Sequence, residues 1–154
     1  MELENALAAA GQLRDALAAE VERARNERQL LRTLDAGGLF ARAAERSRFL
    51  AEAARLEREL AGAVARAAGT TGPTIARLRE RTPGKAEALA LALSEVRSLA
   101  AALHEIDGLN QQLAQRALAC VRGYVEAVRP TPCAYDRRGR RAGAPTLAVV
   151  SSKG

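Results

Sequence analysis

The chain has 154 residues, a length that fits one domain with a tail and is short for an enzyme with separate cofactor and substrate lobes. Its 36 Ala and 21 Leu residues are strong helix formers, whereas 2 Phe, 2 Tyr and no Trp leave few large side chains for a wide, layered core. This composition predicts an all-α protein and argues against a sheet protein. The 48% of hydrophobic residues argues against disorder over most of the length.

The net charge of +6 is concentrated at the C-terminus. Residues 1–128 carry 18 Lys and Arg against 17 Asp and Glu, whereas residues 129–154 carry a net charge of +5. The body therefore lacks the clustered basic face and the aromatic residues that nucleic-acid binding needs. The arginines of residues 137–141 suit nonspecific phosphate contact, but such a tail is more often a solubilising or docking segment, and we expect no nucleic-acid partner.

Nothing in the sequence indicates a membrane or a secretion signal. The apolar run Ala88–Leu93 is too short to cross a bilayer and is bounded by Glu87 and Glu95. The acidic start, Met1–Glu4, lacks the basic residues of a signal peptide. We therefore expect a cytoplasmic protein with no membrane insertion.

Two helices are predicted in the first half of the chain. The first extends from about residue 2 to 35, because leucines and other apolar residues recur at helical spacing, and Gly37-Gly38 supplies the left-handed glycine that ends it. The second begins near Leu39, carries a wide apolar stripe and is closed by Gly69–Pro73. Both are long enough to pair as antiparallel neighbours.

A longer third helix is predicted over residues 83–129. Residues 74–81 are sufficient for two turns of helix, and Thr82-Pro83 is a cap residue followed by proline at the first helical position. Alternating steps of three and four residues then define a coiled-coil seam. The seam consists of Leu89, Ala92, Val96, Leu99, Leu103, Ile106, Asn110, Leu113, Ala117, Cys120, Tyr124 and Ala127.

The chain changes character after Arg129. Pro130, Pro132, Gly139, Gly143 and Pro145 cannot continue a helix or bury a core. We therefore divide the protein into a helical domain of residues 1–129, formed by a coiled-coil-like bundle of long antiparallel helices, and a flexible basic tail of residues 130–154.

Catalytic and metal-binding patterns are absent from the sequence. The single histidine, His104, has no nucleophile at a motif spacing, and Ala101 stands where a di-iron motif requires Glu. Cys120 and Cys133 form neither a disulfide framework nor a zinc site, and Cys120 is interpreted as a small seam residue. We expect a protein that is not an enzyme and needs no cofactor or metal.

The apolar strip on the third helix is wider than one partner helix requires, because Leu93, Ala100, Ala114, Val121 and Val128 flank the seam. A soluble protein rarely leaves such a surface uncovered. Recognition of an amphipathic helix from another protein would cover it. So would the protein's own helices or a homodimer, and the periodicity alone does not distinguish these alternatives.

Residues 107–118, DGLNQQLAQRAL, carry a family resemblance. They resemble the Asn-x-x-Asn-x-x-Leu-Ile-x-x-Ser-Leu segment in the last helix of the FlgN family of flagellar export chaperones. Asp107, Ala114 and Ala117 stand where that pattern has Asn, Ile and Ser. The similarity continues to Pro130 and to Tyr135–Gly139, which is similar to the family's tail motif of Tyr, Asp and Gly.

The resemblance implies a chaperone that holds the C-terminal amphipathic segments of the hook-associated proteins FlgK and FlgL. It would prevent their premature association and deliver them to the type III export gate, where the tail tyrosine, here Tyr135, would contact the gate protein FlhA. The implied client-binding residues are Asn110, Leu113, Ala117, Cys120, Val121 and Tyr124.

Alternatives remain for this interpretation. Asn110 is either a client contact or an internal device that sets helix register, and Tyr135 is either a binding anchor or a solvated tail residue. The alternative for the whole protein is a structural coiled coil whose seam is closed by self-association, including a homodimer of the free protein.

Overall fold

The computed structural model describes residues 2–69, 78 and 82–129, and these residues form three long helices. Helix α1 is Glu2–Thr33, helix α2 is Ala36–Ala68 and helix α3 is Pro83–Val128. No strand occurs in this part of the chain, so the all-α prediction is confirmed. The predicted short helix of residues 74–81 lies outside the described residues except for Leu78, which is helical and buried. The predicted tail, residues 130–154, also lies outside them.

Packing divides the chain into two units, residues 1–117 and residues 118–154. The first unit is the helical bundle. The described part of the second unit is residues 118–129, which contain the last turns of α3. Across the described residues, no helix has the continuous apolar length that a bilayer requires.

Ion pairs in the first unit define the directions of the helices. Arg66 of α2 binds Glu2 of α1 at 2.7 Å, so the end of α2 lies beside the start of α1 and the two helices are antiparallel. Lys85 and Glu95 of α3 pair in the same order with Glu4 and Arg14 of α1. Helix α3 therefore runs parallel to α1 and antiparallel to α2. Lys85 lowers the pKa of the Glu4 carboxyl by a hydrogen bond.

The core is a narrow seam of small and medium side chains, as the composition predicts. Leu56, Leu78 and Leu89 are its largest fully buried apolar side chains, and alanines occupy many of the other buried positions. Alanine lets helix axes approach closely while leucine fills the space between them. The buried apolar residues are Leu3, Ala6, Ala9, Ala10, Leu13, Leu17, Val21, Ala24, Leu31, Phe49, Leu56, Leu60, Ala63, Val64, Ala68, Leu78, Ala86, Leu89, Leu103 and Ile106.

The prediction for the α1–α2 junction is wrong in its glycines. Helix α1 ends at Thr33, and Leu34 adopts the left-handed conformation with φ of 53°. Asp35 then donates its N–H to the carbonyl of Leu30 at 3.0 Å and begins α2 as its N-cap. Gly37 and Gly38 both belong to the first turn of α2. Leu34 thus tolerates the left-handed conformation because backbone hydrogen bonds from Asp35 to Leu30 and from Leu39 to Asp35 hold the turn.

Gly38 is not left-handed, but its surroundings at the junction leave little room for a side chain. The Asp35 carboxylate accepts the Gly38 N–H at 2.9 Å, which caps α2. A Cβ at Gly38 would lie 2.7 Å from that carboxylate and 2.8 Å from the Leu30 side chain. A Cβ at Gly37 would meet only the same carboxylate, at an ordinary distance of 3.6 Å. A side chain at position 38 would therefore push the capping carboxylate or Leu30 aside, whereas one at position 37 would not.

The second junction agrees with its prediction. Gly69 is left-handed with φ of 69° and donates its N–H to the carbonyls of Ala65 and Arg66, which ends α2. Helix α3 begins at Pro83, and its first backbone hydrogen bond joins the Ala86 N–H to the Thr82 carbonyl at 3.0 Å. The predicted start and end of α3 are thus confirmed to within one residue.

The two glycines provide a matched test of the α2 cap. Gly38→Ala should leave the protein about 1 kcal/mol less stable than Gly37→Ala, because only its methyl group must push the capping carboxylate aside, whereas both alanines are better helix formers than glycine. Gly37→Ala should leave the free energy of unfolding unchanged or raise it by up to about 1 kcal/mol, since alanine is the better helix former. Urea denaturation followed by circular dichroism measures both, and equal effects of the two substitutions would contradict the assignment of the cap.

Candidate partner-binding face

Burial along α3 follows the predicted seam and then stops. Ala86, Leu89, Leu103 and Ile106 are buried, and Val96 and Leu99 pack partly against the core. Asn110 is the last buried residue of the helix among those described. Leu113 and Ala117 are half-buried, and every residue from 118 to 129 is exposed. The apolar spacing of α3 therefore continues to Val128, although the helix is no longer buried after Asn110.

Burial of α3 ends close to a charged network that the sequence analysis did not find. Glu20 of α1 is fully buried, and its carboxylate accepts hydrogen bonds from Arg42 and Arg46 of α2 at 2.5 and 3.1 Å. Arg23 of α1 donates to the same carboxylate at 3.0 Å, and Arg42 also binds Glu27 at 3.2 Å. A buried carboxylate is stable only when such partners compensate for its lost hydration. The network therefore joins α1 to α2 at a defined register.

Arg46 extends this network to α3. Its guanidinium pairs with the Asp107 carboxylate through two hydrogen bonds, one of them 2.9 Å long. The bond to Asp107 raises the pKa of Arg46, against the opposing effect of burial. Asp107 is the residue that stands where the family pattern has its first Asn, and an acidic side chain at this position suits an arginine partner better than an amide does.

Asn110 is bound within the chain. Its side-chain amide donates to the Ala24 carbonyl of α1 at 2.7 Å, and its side-chain oxygen accepts from the Arg28 Nε at 3.2 Å. Since the residue is buried and its polar atoms are paired, these contacts favour the internal register role over a client contact.

A substitution at Glu20 measures the network. Glu20→Gln should lower the free energy of unfolding by about 2 to 3 kcal/mol, because it removes the charge that three arginines share. The loss is smaller than for an isolated buried pair, since Arg42 keeps Glu27 and Arg46 keeps Asp107. The control is Glu22→Gln, which breaks only the exposed pair with Arg25 and should cost less than about 0.5 kcal/mol. Equal losses in chemical denaturation would show that the network contributes nothing beyond a surface pair.

The end of α3 carries an exposed apolar face. Leu118, Val121, Val125 and Val128 recur at steps of three, four and three residues, and each is 42 to 60% exposed. This spacing places them along one side of a helix, and we call these four residues the C-terminal apolar face. An aliphatic strip of three turns is a surface on which another amphipathic helix can pack.

Of the other predicted site residues, Tyr124 and Cys120 lie beside this face, Tyr135 lies outside the described residues, and Leu113 and Ala117 are half-buried in the first unit. Tyr124 is 71% exposed, and Cys120 is exposed too, so the chain by itself covers neither of these predicted seam residues. Both belong to the predicted seam, which borders the C-terminal apolar face.

The sequence analysis did not assign Leu118, Val125 or Val128 to the site. Their signal was present as a second series of three- and four-residue steps, displaced by one position from the predicted seam. Spacing alone does not show which of two adjacent series is covered, because both are apolar. Exposure in the folded chain makes the distinction.

The described residues hold no group of three His, Cys, Asp or Glu side chains placed to bind a metal ion. His104 is exposed on α3. The side chains at the end of α3 include apolar, aromatic and charged groups and the Cys120 thiol.

Known protein families were compared with the chain. The model of the family described as FlgN protein matches residues 1–143. This match includes all of the described residues and extends through Tyr135. No curated protein and no solved structure matches the sequence.

Proposed function

The chain belongs to the FlgN family of flagellar export chaperones, and from this premise we propose which clients it binds, by which surface, and where it delivers them. The clients are the hook-associated proteins FlgK and FlgL, bound through their C-terminal amphipathic segments. The chaperone keeps these segments from associating prematurely in the cytoplasm and presents them to the export gate protein FlhA.

The observation that carries this proposal is the exposure of the C-terminal apolar face. About half of each of its four side chains is exposed. Covering them contributes roughly 3 to 6 kcal/mol before the entropic cost of association. Association costs at least about as much, so the exposed side chains beside the face, such as Tyr124, must add to the affinity.

We propose a client surface that differs in part from the one expected from the family pattern. Val121, Cys120 and Tyr124 remain in it, because all three are exposed. Leu118, Val125 and Val128 are added for the same reason. Asn110 is left out, since both ends of its amide are bound within the bundle.

A charge placed in the face tests the proposal. Val125→Asp should weaken binding of FlgK at least about tenfold, because an unpaired carboxylate would be buried in the complex. Ala119→Asp is the matched control, since Ala119 is exposed on the opposite side of the same helical turns. The affinity of this variant for FlgK should stay within about twofold of the wild-type value. Isothermal titration with purified FlgK measures both, and circular dichroism checks that both variants remain helical.

Client binding by wild-type protein decides between the proposal and its alternative. A stable one-to-one complex with FlgK or FlgL supports the chaperone role. A homodimer that binds neither client, found by light scattering, would instead support the structural coiled coil. Equal weakening by Val125→Asp and Ala119→Asp would contradict the assigned surface and leave the chaperone role standing.

The gate contact has its own test. Tyr135→Ala should leave the affinity for FlgK unchanged and reduce FlgK export by at least about tenfold, because one aromatic side chain can supply a large share of the energy of a binding contact. Immunoblotting of secreted FlgK in a strain that carries the variant measures export, and Tyr135→Phe is the conservative control. Loss of FlgK binding by Tyr135→Ala would show that the residue belongs to the client surface.

A further inference from the structure

The C-terminal apolar face is bordered by arginines. Arg122 follows Leu118 by four residues and precedes Val125 by three, and Arg129 follows Val125 by four. Helix residues at these spacings are neighbours on the surface, so both guanidinium groups lie along one side of the face. We call this border the arginine side.

The opposite border carries no charge. Tyr124 follows Val121 by three residues and precedes Val128 by four, and Cys120 lies four residues before Tyr124. The face is therefore electrostatically asymmetric, with two cations on one side and an aromatic and a thiol side chain on the other.

The arginine side is not neutralised by the described residues. Arg122 and Arg129 are exposed, and neither forms an ion pair with any residue in the described part of the chain. Glu126 is the one acidic residue between positions 118 and 129, and it lies behind the arginines, farther from the apolar face. Two cations thus face whatever covers the apolar strip.

This asymmetry disfavours a second copy of the chain as an antiparallel partner. Two identical helices that pack antiparallel about a twofold axis place the same border of each helix together. Arg122 and Arg129 would then face the arginines of the other copy, which costs binding energy. A helix with carboxylates along the matching border gains the opposite interaction.

We propose that the segment held by the C-terminal apolar face is an amphipathic helix with acidic residues along one border, and that Arg122 and Arg129 select it. The inference rests on the proposed function and specifies the chemistry of the client segment. The apolar contacts supply most of the affinity, and the arginines determine which amphipathic helices bind and in which direction.

Three synthetic 18-residue helices test the selection. They share four leucines at steps of three, four and three residues and differ in one border, which is Glu, Gln or Lys. At 50 mM salt the full-length protein should bind the Glu peptide about tenfold more tightly than the Gln peptide and should bind the Lys peptide least. The preference should shrink at 500 mM salt, where exposed charges are screened. Fluorescence anisotropy of labelled peptides gives the affinities.

Charge reversal assigns the selection to its residues. The double variant Arg122→Glu, Arg129→Glu should prefer the Lys peptide. The control, Arg116→Glu, reverses a charge on the side of α3 away from the face and should retain the preference for Glu. Equal affinity of the wild-type protein for all three peptides would overturn the inference, as would an unchanged preference in the double variant.

These outcomes separate the inference from the proposed function. If FlgK binds the wild-type protein and Val125→Asp abolishes binding, but the double variant binds FlgK with wild-type affinity, the client role stands and the selection is wrong. If a homodimer excludes all three peptides and Val125→Asp dissociates it, a second copy occupies the face and the inference fails. The sequence also has an apolar run at residues 146–150, TLAVV. If Leu147→Asp raises the affinity for all three peptides equally, the chain's own terminus covers the face and the inference fails.

Discussion

The buried carboxylate of Glu20 is the interaction on which the arrangement of the helices depends. It is fully buried on α1 and is compensated by Arg42 and Arg46 from α2. Arg46 in turn holds Asp107 of α3, so one buried negative charge connects all three helices. Separating α2 from α1 would leave the buried Glu20 carboxylate without its two partners from α2, and an uncompensated buried charge costs more than several alanine contacts gain.

This polar network supplies specificity that the apolar core lacks. A seam of Ala and Leu is repetitive, and sliding one helix by two turns would bury nearly the same apolar area. The same slide would separate Glu20 from its arginines and Asn110 from the Ala24 carbonyl. Satisfied hydrogen bonds therefore distinguish the native register from alternatives that the hydrophobic effect alone does not reject.

The candidate site has the opposite character from the bundle. Its apolar side chains continue the spacing of α3, but they are exposed, whereas the apolar positions of α3 before Asn110 include buried ones. Under the proposed function, this surface presents apolar area to a client that leaves it again at the export gate. In the proposal, the two arginines beside the face let the surface discriminate among helices. Apolar contacts form with many amphipathic helices, whereas the arginines attract acidic side chains and repel basic ones.

The sequence by itself determined the three helices, the limits of α3 to within one residue and the family, because helical periodicity, capping residues and short motifs are local signals. It failed at the α1–α2 junction, where Leu34 takes the left-handed position and Gly38 makes room for a cap, since that choice depends on contacts with Leu30 and Asp35 in the folded turn. It also missed the Glu20 network, whose members are up to 87 residues apart in the chain and look like ordinary surface charges. Only the tertiary structure decided that Asn110 binds internally while Leu118, Val125 and Val128 remain exposed. Burial depends on which residues pack against a position in the folded chain, and the spacing of apolar residues in the sequence does not specify those neighbours.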